Sequence, residues 1–309
     1  MTLDKNNPFI SIVIPMYNSK TTIGRALVSI INQTDTRWEC ILVDNNSQDD
    51  TLEICDEICR NENRIRLSLV KSTKRGANHC RNIGWRESKS DYIMFMDADD
   101  ILADFCIEER IKSIQTFEDS DLYIFNTAFL DTNHNVTGRF MHDDEDISTL
   151  ICRFIRHDVP WQTMSAIWKK NFLNELCGWN EKYLRLQDVE ITIRALLEKP
   201  KLHLFKNKPD SFYFVEKPSE TKINLARYAF LDLVSDIIPL CLDDDRWTSE
   251  AANFISAFSK LLGNICSLYM LHTNNKDPEW ETQFLNTLLD AGYPAHEVKP
   301  ISLKFKSKI

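Results

Sequence analysis

The sequence predicts an α/β fold with a doubly wound, mixed but mainly parallel sheet, followed by a helical C-terminal region. Between residues 9 and 96, short apolar runs rich in β-branched residues alternate with segments of helical period. Polar, turn-forming residues follow three of these runs, and from about Lys222 onward the apolar pattern is helical. With 309 residues, the chain is long enough for one large domain, or for a large and a smaller one.

The first part of the chain has the order β-α-β-α-β-α-β. The first run ends at Pro15, and the segment after it has apolar residues at positions i, i+3, i+4, i+7 and i+8 from Ile23, which form one helix face. Ser47 or Asp49 is expected to cap the second helix. The predicted strands are residues 9–14, 40–43, 65–70 and 92–96, and the predicted helices are 23–31, about 49–59 and 76–87. Right-handed crossovers then make these strands parallel.

Beyond Asp100, apolar runs typical of strands and of helices no longer alternate regularly. Strands are predicted at 122–125 and 164–168, with a late edge strand at 212–215; a helix is predicted at 189–197, and the polar residues 134–146 are predicted to form a loop. The helical region contains an apolar stripe, interpreted as core packing rather than as a partner surface. The stripe consists of Phe254, Phe258, Leu261, Ile265 and Leu268.

Composition excludes several classes of protein. A formal charge of −9 disfavours general binding of nucleic acid. Nine cysteines without CxxC spacing indicate reduced core residues of a cytoplasmic protein rather than a zinc ribbon. No signal-peptide pattern is present, and Asp232, Asp236 and Pro239 interrupt the apolar stretch 230–242, so no membrane span is predicted. The lysine-rich end, 301–308, is either a solvated tail or a peripheral contact with anionic lipid at the inner face of a membrane.

Polar tips follow three of the predicted strands. They are Tyr17-Asn18, Asp44-Asn45-Asn46 and Asp97-Ala98-Asp99. In a doubly wound sheet, ligands bind beyond the carboxyl ends of the strands. We therefore expect these three tips to converge on one cleft.

The third tip places three carboxylates within four positions, at Asp97, Asp99 and Asp100, directly after an apolar strand. Like charges this close repel one another unless a cation lies between them. Mg²⁺ and Mn²⁺ prefer oxygen ligands and keep coordination positions for substrate phosphates. The pattern indicates a site for a metal ion and a diphosphate; the alternative is a strand-ending turn with helix-capping aspartates.

Five groups of segments follow one another in a characteristic order. They are SIVIPMYN at 11–18, SIINQT at 29–34, VDNNSQDDT at 43–51, RNIG at 81–84 with DYIMFMDADD at 91–100, and GWNE at 178–181 with QD at 187–188. In this order they resemble the family 2 glycosyltransferases, which have the GT-A, Rossmann-like fold. The resemblance covers about residues 8–200.

The resemblance implies inverting, metal-dependent transfer of a hexosyl or N-acetylhexosaminyl group from a nucleotide-sugar, with UDP favoured. The acceptor is a hydroxyl of a glycan or lipid-linked oligosaccharide in cell-surface polysaccharide synthesis. A GT-A domain is implied over 1–220, with donor-binding half about 8–100 and acceptor half about 101–220, before a helical region 221–309. The implied residues are Asp188 as catalytic base; Asp97 and Asp99 as ligands of Mn²⁺ or Mg²⁺; Pro15, Tyr17, Asn18, Asn45, Arg81, Asp97 and Ala98 for the donor; and Trp161 and Gln162 for the acceptor.

Two positions depart from the family pattern. Asn45 stands where the family often has an aspartate that contacts the nucleotide base, and Gln187 stands where it often has a glutamate. An amide both donates and accepts hydrogen bonds, so Asn45 can still contact uracil. Asp188, the implied base, is retained.

Each candidate residue also has a structural interpretation. Asp188 either acts as the base or caps the helix 189–197, and Glu190 is either a substitute base or a solvated first-turn acid. Arg81 either contacts the diphosphate or is a solvated helix arginine. For the others, the structural interpretations are an Asx turn for Asn45, a cap of the first helix for Asn18, a core position for Trp161, surface charges for Lys74 and Arg75, and incidental histidines at His79 and His157.

Two rival functions remain. A sugar-phosphate nucleotidyltransferase normally has a glycine-rich loop after its first strand, and residues 15–20 contain no glycine. A non-catalytic module that binds nucleotide-sugars or glycans would not need Asp97, Asp99 and Asp188. A dehydrogenase is disfavoured because GxGxxG follows none of the predicted strands.

Overall fold

The computed structural model describes residues 8–69, 76–131, 133, 135–139, 142–215, 220–272, 278–298 and 301. They divide into two compact units. The first contains the residues up to 144 together with 161–184 and 200–217, and the second contains 145–160, 185–199 and the residues from 218 onward.

Both sheets belong to the first unit. The strands are β1 Ile10–Met16, β2 Trp38–Asp44, β3 Ile65–Leu69, β4 Tyr92–Phe95, β5 Ile101–Leu102, β6 Leu122–Ile124, β7 Thr127–Leu130, β8 Val136–Arg139, β9 Ala166–Lys169, β10 Leu202–Leu204 and β11 Ser211–Phe214. One sheet has the order β10-β6-β9-β4-β1-β2-β3, and the smaller sheet has the order β5-β11-β7-β8.

The larger sheet is mixed and mainly parallel. β3, β2, β1 and β4 run parallel to one another, whereas β9 is antiparallel to both β4 and β6. Every residue of β1 and β2 is buried, as expected for central parallel strands covered on both faces. The predicted fold class is confirmed.

Helices α1–α4 and α6 lie in the first unit, and α5 and α7–α10 lie in the second. The helices are α1 Ile23–Ile31, α2 Thr51–Asn61, α3 Ala77–Glu87, α4 Cys106–Thr116, α5 Ile147–Ile155, α6 Lys170–Glu175, α7 Gln187–Leu197, α8 Glu220–Leu242, α9 Ala251–His272 and α10 Pro278–Asp290. None of the described helices combines the length and the apolar character that a membrane span requires. The helical C-terminal region predicted from the sequence is therefore present in the second unit.

Gly84 sets the distance between α3 and the sheet. A Cβ atom at this position would lie 2.3 Å from a methyl carbon of Val13 in β1 and 3.2 Å from one in Val43 of β2. Only glycine permits this approach without displacing the strand side chains. The close contact fixes the position of the polar face of α3, which carries Arg81.

Several details of the sequence prediction were wrong. β1 continues through Pro15 to Met16 because β2 pairs with it over its whole length. Residues 136–139, predicted as loop, form β8, an exposed strand held by pairing with β7. The strand predicted at an edge, β11, lies between β5 and β7.

The predicted cap of α2 is only partly right. Asp49 accepts a hydrogen bond from the N–H of Thr51, the first helical residue, but the N-cap position is Asp50. The hydroxyl of Ser47 instead donates to the carboxylate of Asp44.

Some predictions concern residues outside those described. They are Val70 at the end of the third strand, the surface charges Lys74 and Arg75, and the lysine-rich end beyond Ile301. In the apolar stripe of α9, Phe254, Phe258 and Leu261 are buried, and the side chains of Ile265 and Leu268 fall outside the described part.

Candidate active site

Three strand ends of the first unit lie side by side. β1 is flanked by β2 and β4, which both run parallel to it, and Met16 pairs with Asp44 at the end of the β1–β2 ladder. Residues 17–19, 45–48 and 97–100 therefore leave the sheet at its carboxyl edge. The three tips are neighbours, as the order of elements predicted, and their convergence on one cleft stays a prediction.

Asn18 connects the first two strand ends. Its backbone N–H donates to the Ser47 hydroxyl at 2.9 Å, and its Oδ1 accepts a bond of 2.8 Å from the N–H of Gln48. The φ angle of Asn18 is 51°, in the left-handed region that asparagine tolerates better than most residues. Asn18 does not cap α1, whose N-cap position is Thr22. Its side chain serves to hold the two loops together.

The other predicted donor-binding residues at these two ends differ in exposure. Pro15 is buried within β1, whereas the side chain of Tyr17 is 45% exposed. Asn45 is buried, and its Oδ1 accepts a hydrogen bond of 3.0 Å from the N–H of Gly76, at the N-cap of α3. This oxygen is thus bonded to the start of α3. Contact with a nucleotide base stays a prediction.

Arg81 pairs with the first aspartate of the metal motif. Its Nη2 donates to Oδ1 of Asp97 at 2.6 Å, and its Nη1 donates to Oδ1 of Asn78 at 2.9 Å. The guanidinium also lies over the ring of Trp179, 4.6 Å from its centroid. Because only 3% of the Arg81 side chain is exposed, the solvated-arginine interpretation is wrong. A buried charge needs such partners.

Asp100 differs from the other carboxyl groups of the motif because it is completely buried. Burial raises the pKa of this carboxyl well above its usual range, and the negative charges of Asp97 and Asp99 raise it further. The backbone N–H of Phe214 and the amide of Gln162 face the group. Neither oxygen has a hydrogen bond of ordinary geometry. Burial and the two neighbouring charges therefore both oppose ionisation of Asp100.

The motif fits a divalent cation that takes part of its ligands from a substrate. Asp97 and Asp99 are both partly exposed, and they lie on one turn closed by the bond from the N–H of Asp100 to the carbonyl of Asp97, at 3.2 Å. Within the described ranges, no three His, Cys, Asp or Glu side chains surround a common point. Two carboxylates leave coordination positions for phosphate oxygens and water, as Mg²⁺ and Mn²⁺ require.

The segment 178–181 is bonded to the same helix that carries Arg81. The amide of Asn82 donates to the carbonyl of Trp179 at 2.8 Å and accepts from its N–H at 2.9 Å. One turn earlier, Asn78 donates to the carbonyl of Asn180 at 2.8 Å. The helix thus connects the carboxylate turn to this segment. Sequence reasoning missed both asparagines, although their i, i+4 spacing places them on one helix face.

Glu181 adds two further contacts between the segment 178–181 and α3. Its Oε1 accepts a hydrogen bond of 3.0 Å from the amide of Asn82, and its Oε2 lies 3.0 Å from Nδ1 of His79. His79, interpreted as incidental from the sequence, is therefore a partner of Glu181.

Trp161 and Gln162, the predicted acceptor residues, are both buried in the first unit. Trp161 is 1% exposed, which favours the core interpretation. Oε1 of Gln162 accepts a bond from the N–H of Met164 and so caps a short 3-10 helix. Contact with an acceptor stays a prediction.

Asp188 lies in the second unit, in the first turn of α7. The N-cap position of this helix is Leu186, which has a φ of 57° and makes no side-chain cap. Oδ1 of Asp188 accepts a hydrogen bond of 3.0 Å from the N–H of Val189. Asp188 is therefore inside the helix and not its cap, and its role as base stays a prediction.

Glu190, the substitute base, is not the solvated acid expected as its alternative. It is 2% exposed and pairs with Arg194 one turn later, through bonds of 2.8 and 3.1 Å. This partner satisfies the charge, so the arrangement favours a structural role.

Comparisons with known proteins show which family this sequence resembles. The family model "Glycosyl transferase family 2" matches residues 11–174. The chain is 35% identical over 107 residues to an uncharacterized glycosyltransferase of Haemophilus influenzae, covering 35% of this chain and 42% of that protein. It is 26% identical over 178 residues to the GalNAc(5)-diNAcBac-PP-undecaprenol beta-1,3-glucosyltransferase of Campylobacter jejuni, covering 55% of this chain and 57% of that protein. For these two and a third curated relative, the matched segment spans 38% to 57% of the relative's own length.

Solved structures show the same fold. The crystal structure of Staphylococcus aureus TarS 1–349 in complex with UDP-GlcNAc has a TM-score of 0.73 at 18% identity, covering 96% of this chain and 88% of that one. The mannosyltransferase PcManGT of Pyrobaculum calidifontis, in complex with GDP-Man and Mn²⁺, has a TM-score of 0.54 at 14% identity, covering 99% and 89%. These likenesses establish the GT-A fold.

Proposed function

The chain belongs to glycosyltransferase family 2, and we propose that it transfers a sugar from a UDP-sugar to a hydroxyl group of a glycan or lipid-linked acceptor. The observation that carries the proposal is the turn after β4, where two partly exposed carboxylates, Asp97 and Asp99, lie at the carboxyl edge of the sheet. Ligands bind at this edge in doubly wound sheets.

The relatives and neighbours support the class of substrate. The Campylobacter jejuni relative is named as acting on an undecaprenol diphosphate-linked glycan. The TarS structure holds UDP-GlcNAc, and the Pyrobaculum enzyme holds GDP-Man with Mn²⁺. A UDP-sugar donor and a lipid-linked or polymeric acceptor therefore form the simplest assignment for this chain.

Asp99 and Asp97 are proposed to hold Mn²⁺ or Mg²⁺. When bound, the cation neutralises the diphosphate that departs with the nucleotide. Arg81 keeps Asp97 in place through its bond of 2.6 Å. Tyr17 and Asn18 are proposed to border the nucleotide, together with Asn45 and Ala98.

Asp188 is proposed to act as the general base. It takes the proton of the acceptor hydroxyl as that oxygen attacks the anomeric carbon. The bond between this carbon and the phosphate oxygen breaks, and its electron pair leaves with UDP. A single displacement of this kind inverts the anomeric configuration, as in inverting glycosidases.

The organisation of the chain follows from the same proposal. Residues 1–220 would form the GT-A domain, with residues 8–100 for the donor and 101–220 for the acceptor, and residues 221–309 a helical region. A cytoplasmic location, with peripheral contact at a membrane that carries the acceptor, suits a lipid-linked substrate.

The experiment is a donor screen that measures released nucleotide. The protein is incubated with UDP- and GDP-sugars, with and without a lipid-linked acceptor, in Mn²⁺ or in EDTA. We expect release of UDP that depends on both the acceptor and Mn²⁺. The Asp99→Asn variant should lose this release, and Asp91→Asn, at the opposite end of the same strand, should keep it.

Other outcomes identify the rival functions. Release of pyrophosphate from a nucleoside triphosphate and a sugar phosphate would indicate a nucleotidyltransferase. Binding of UDP-sugar without turnover of any acceptor tested would favour a binding module.

A further inference from the structure

Arg25, on α1, is bonded to the backbone of the carboxylate turn. Its Nη2 donates to the carbonyl oxygen of Asp99 at 3.0 Å, across 74 positions of sequence. No sequence motif marked this residue. The bond holds the backbone of one of the two proposed metal ligands.

The guanidinium of Arg25 is itself fixed in place. It lies over the ring of Phe214 in β11, 4.0 Å from the centroid. The backbone N–H of the same Phe214 faces the buried carboxyl of Asp100. Arg25 therefore holds the backbone of Asp99, while Arg81 holds the carboxylate of Asp97 from α3.

In the described part of the structure, the guanidinium of Arg25 has no charged partner. Arg25 forms no ion pair with a described carboxylate, and its Nε is buried without an acceptor. Arg25 is partly buried, and burying a charge is costly unless the group has partners. The partner that its bond identifies is the backbone carbonyl of Asp99, in the turn that carries both carboxylates.

We propose that Arg25 is a positioning residue of the metal-binding turn. It fixes the backbone of Asp99 before the ligand arrives, so that the two carboxylates need no rearrangement to bind a cation with a nucleoside diphosphate. Arg25 acts through Asp99 and is not a catalytic residue. This inference rests on the proposed function of the turn.

Two substitutions and one control test the proposal. Arg25→Met removes the donor and the charge but keeps the length of the side chain, and Arg25→Lys keeps the charge without the planar guanidinium. Arg64→Met is the matched control, since Arg64 also lies 4.0 Å from an aromatic centroid, that of Trp38. Arg64 directly precedes β3 and Trp38 is the first residue of β2, so both lie at the edge of the sheet opposite the carboxyl ends of these strands.

The first measurement is the Mn²⁺ concentration at half-saturation of UDP binding. We expect Arg25→Met to raise it about tenfold, which corresponds to about 1.4 kcal/mol and to the loss of one charge-assisted hydrogen bond. Arg25→Lys should fall between this variant and the parent, and Arg64→Met should match the parent. In transfer assays, the KM for donor should rise more than kcat falls.

The second measurement needs no metal. Hydrogen exchange at the amide of Asp100, which is bonded to the carbonyl of Asp97, should become faster in metal-free Arg25→Met and stay unchanged in Arg64→Met. If the parent binds UDP with Mn²⁺ and Arg25→Met binds with the same Mn²⁺ midpoint, the proposal for Arg25 is wrong. Absence of Mn²⁺-dependent UDP binding in the parent overturns the proposed function as well.

Discussion

The guanidinium of Arg81 donates a hydrogen bond of 2.6 Å to the carboxylate of Asp97, and its face lies on the ring of Trp179. One side chain of α3 thus contacts both the carboxylate turn and the segment that precedes the implied base in sequence. The side chain of Arg81 is buried, whereas that of Asp97 is partly exposed.

Replacement of Arg81 by Met should destabilise the protein and impair transfer. The free energy of unfolding should fall by about 1–3 kcal/mol, less than for a fully buried pair because Asp97 is partly solvated. Loss of the fixed Asp97 should lower kcat/KM at least about tenfold. Urea unfolding and transfer assays measure the two effects. Arg86→Met, on the same helix but exposed, is the control and should change both values little.

Replacement of Asp188 by Asn should separate binding from chemistry. UDP binding should be unchanged, while kcat should fall by about 10²–10⁴, the usual contribution of a general base. Calorimetry and transfer assays provide the two values. Glu53→Gln, also a first-turn acid but on α2, is the control. Turnover of Asp188→Asn at the parental rate would remove Asp188 from its proposed role.

Replacement of Gly178 by Ala should disrupt the junction between α3 and the segment 178–181. The φ angle of Gly178 is +72°, and a Cβ atom would lie 2.5 Å from Oδ1 of Asn82. Strain and overpacking together should cost about 2–4 kcal/mol, measured by urea unfolding. Gly24→Ala is the control, because a Cβ atom at this position of α1 would meet no side chain and no other element within 4 Å. That variant should be about as stable as the parent or up to about 1 kcal/mol more stable.

The cap of α5 should make the stability of the protein depend on pH. Asp146 accepts bonds of 2.8 Å from the N–H of Thr149 and from the hydroxyl of Ser148. The bond from Thr149 lowers the pKa of this carboxyl below its ordinary value of 3.8. A carboxyl group whose pKa is lower in the folded state than in the unfolded state stabilises the fold at pH values above its unfolded-state pKa. This stabilisation is lost as the pH falls through the folded-state pKa.

Asp146→Ala should therefore cost about 1 kcal/mol at pH 7, and the cost should shrink below pH 3.8. Urea unfolding at pH 7 and pH 3 compares the two states. Asp146→Asn, which retains a capping oxygen without ionising, should show a smaller change between the two pH values. An equal cost of Asp146→Ala at both would show that ionisation is irrelevant to the cap.

The β-α alternation and the strand tips were predictable because they depend on local patterns. Burial on both faces gives β1 and β2 continuous apolar runs, and the carboxyl edge follows from parallel strands. β8 escaped prediction because its residues are exposed and its strand exists only through pairing with β7.

Partners of charged residues were not predictable from the sequence. Arg81 and Asp97 are 16 positions apart, and Arg25 and Asp99 are 74 apart, so each pair depends on the packing of a helix on the sheet. Glu190 and Arg194 form a local i, i+4 pair, but the burial of Glu190 depends on packing and was not predictable. The role of Asn82 depends on the position of Gly178, which only the folded chain determines.

The most direct test of the metal-binding turn is the melting temperature with UDP, in Mn²⁺ and in EDTA. Ligand at about a hundred times its Kd adds about 2.7 kcal/mol of stability, which is readily measured. The parent and Asp91→Asn should melt at higher temperature with UDP and Mn²⁺ than with UDP and EDTA, and Asp99→Asn should show no such difference. An Asp99→Asn protein that retains the full Mn²⁺-dependent increase would contradict the account.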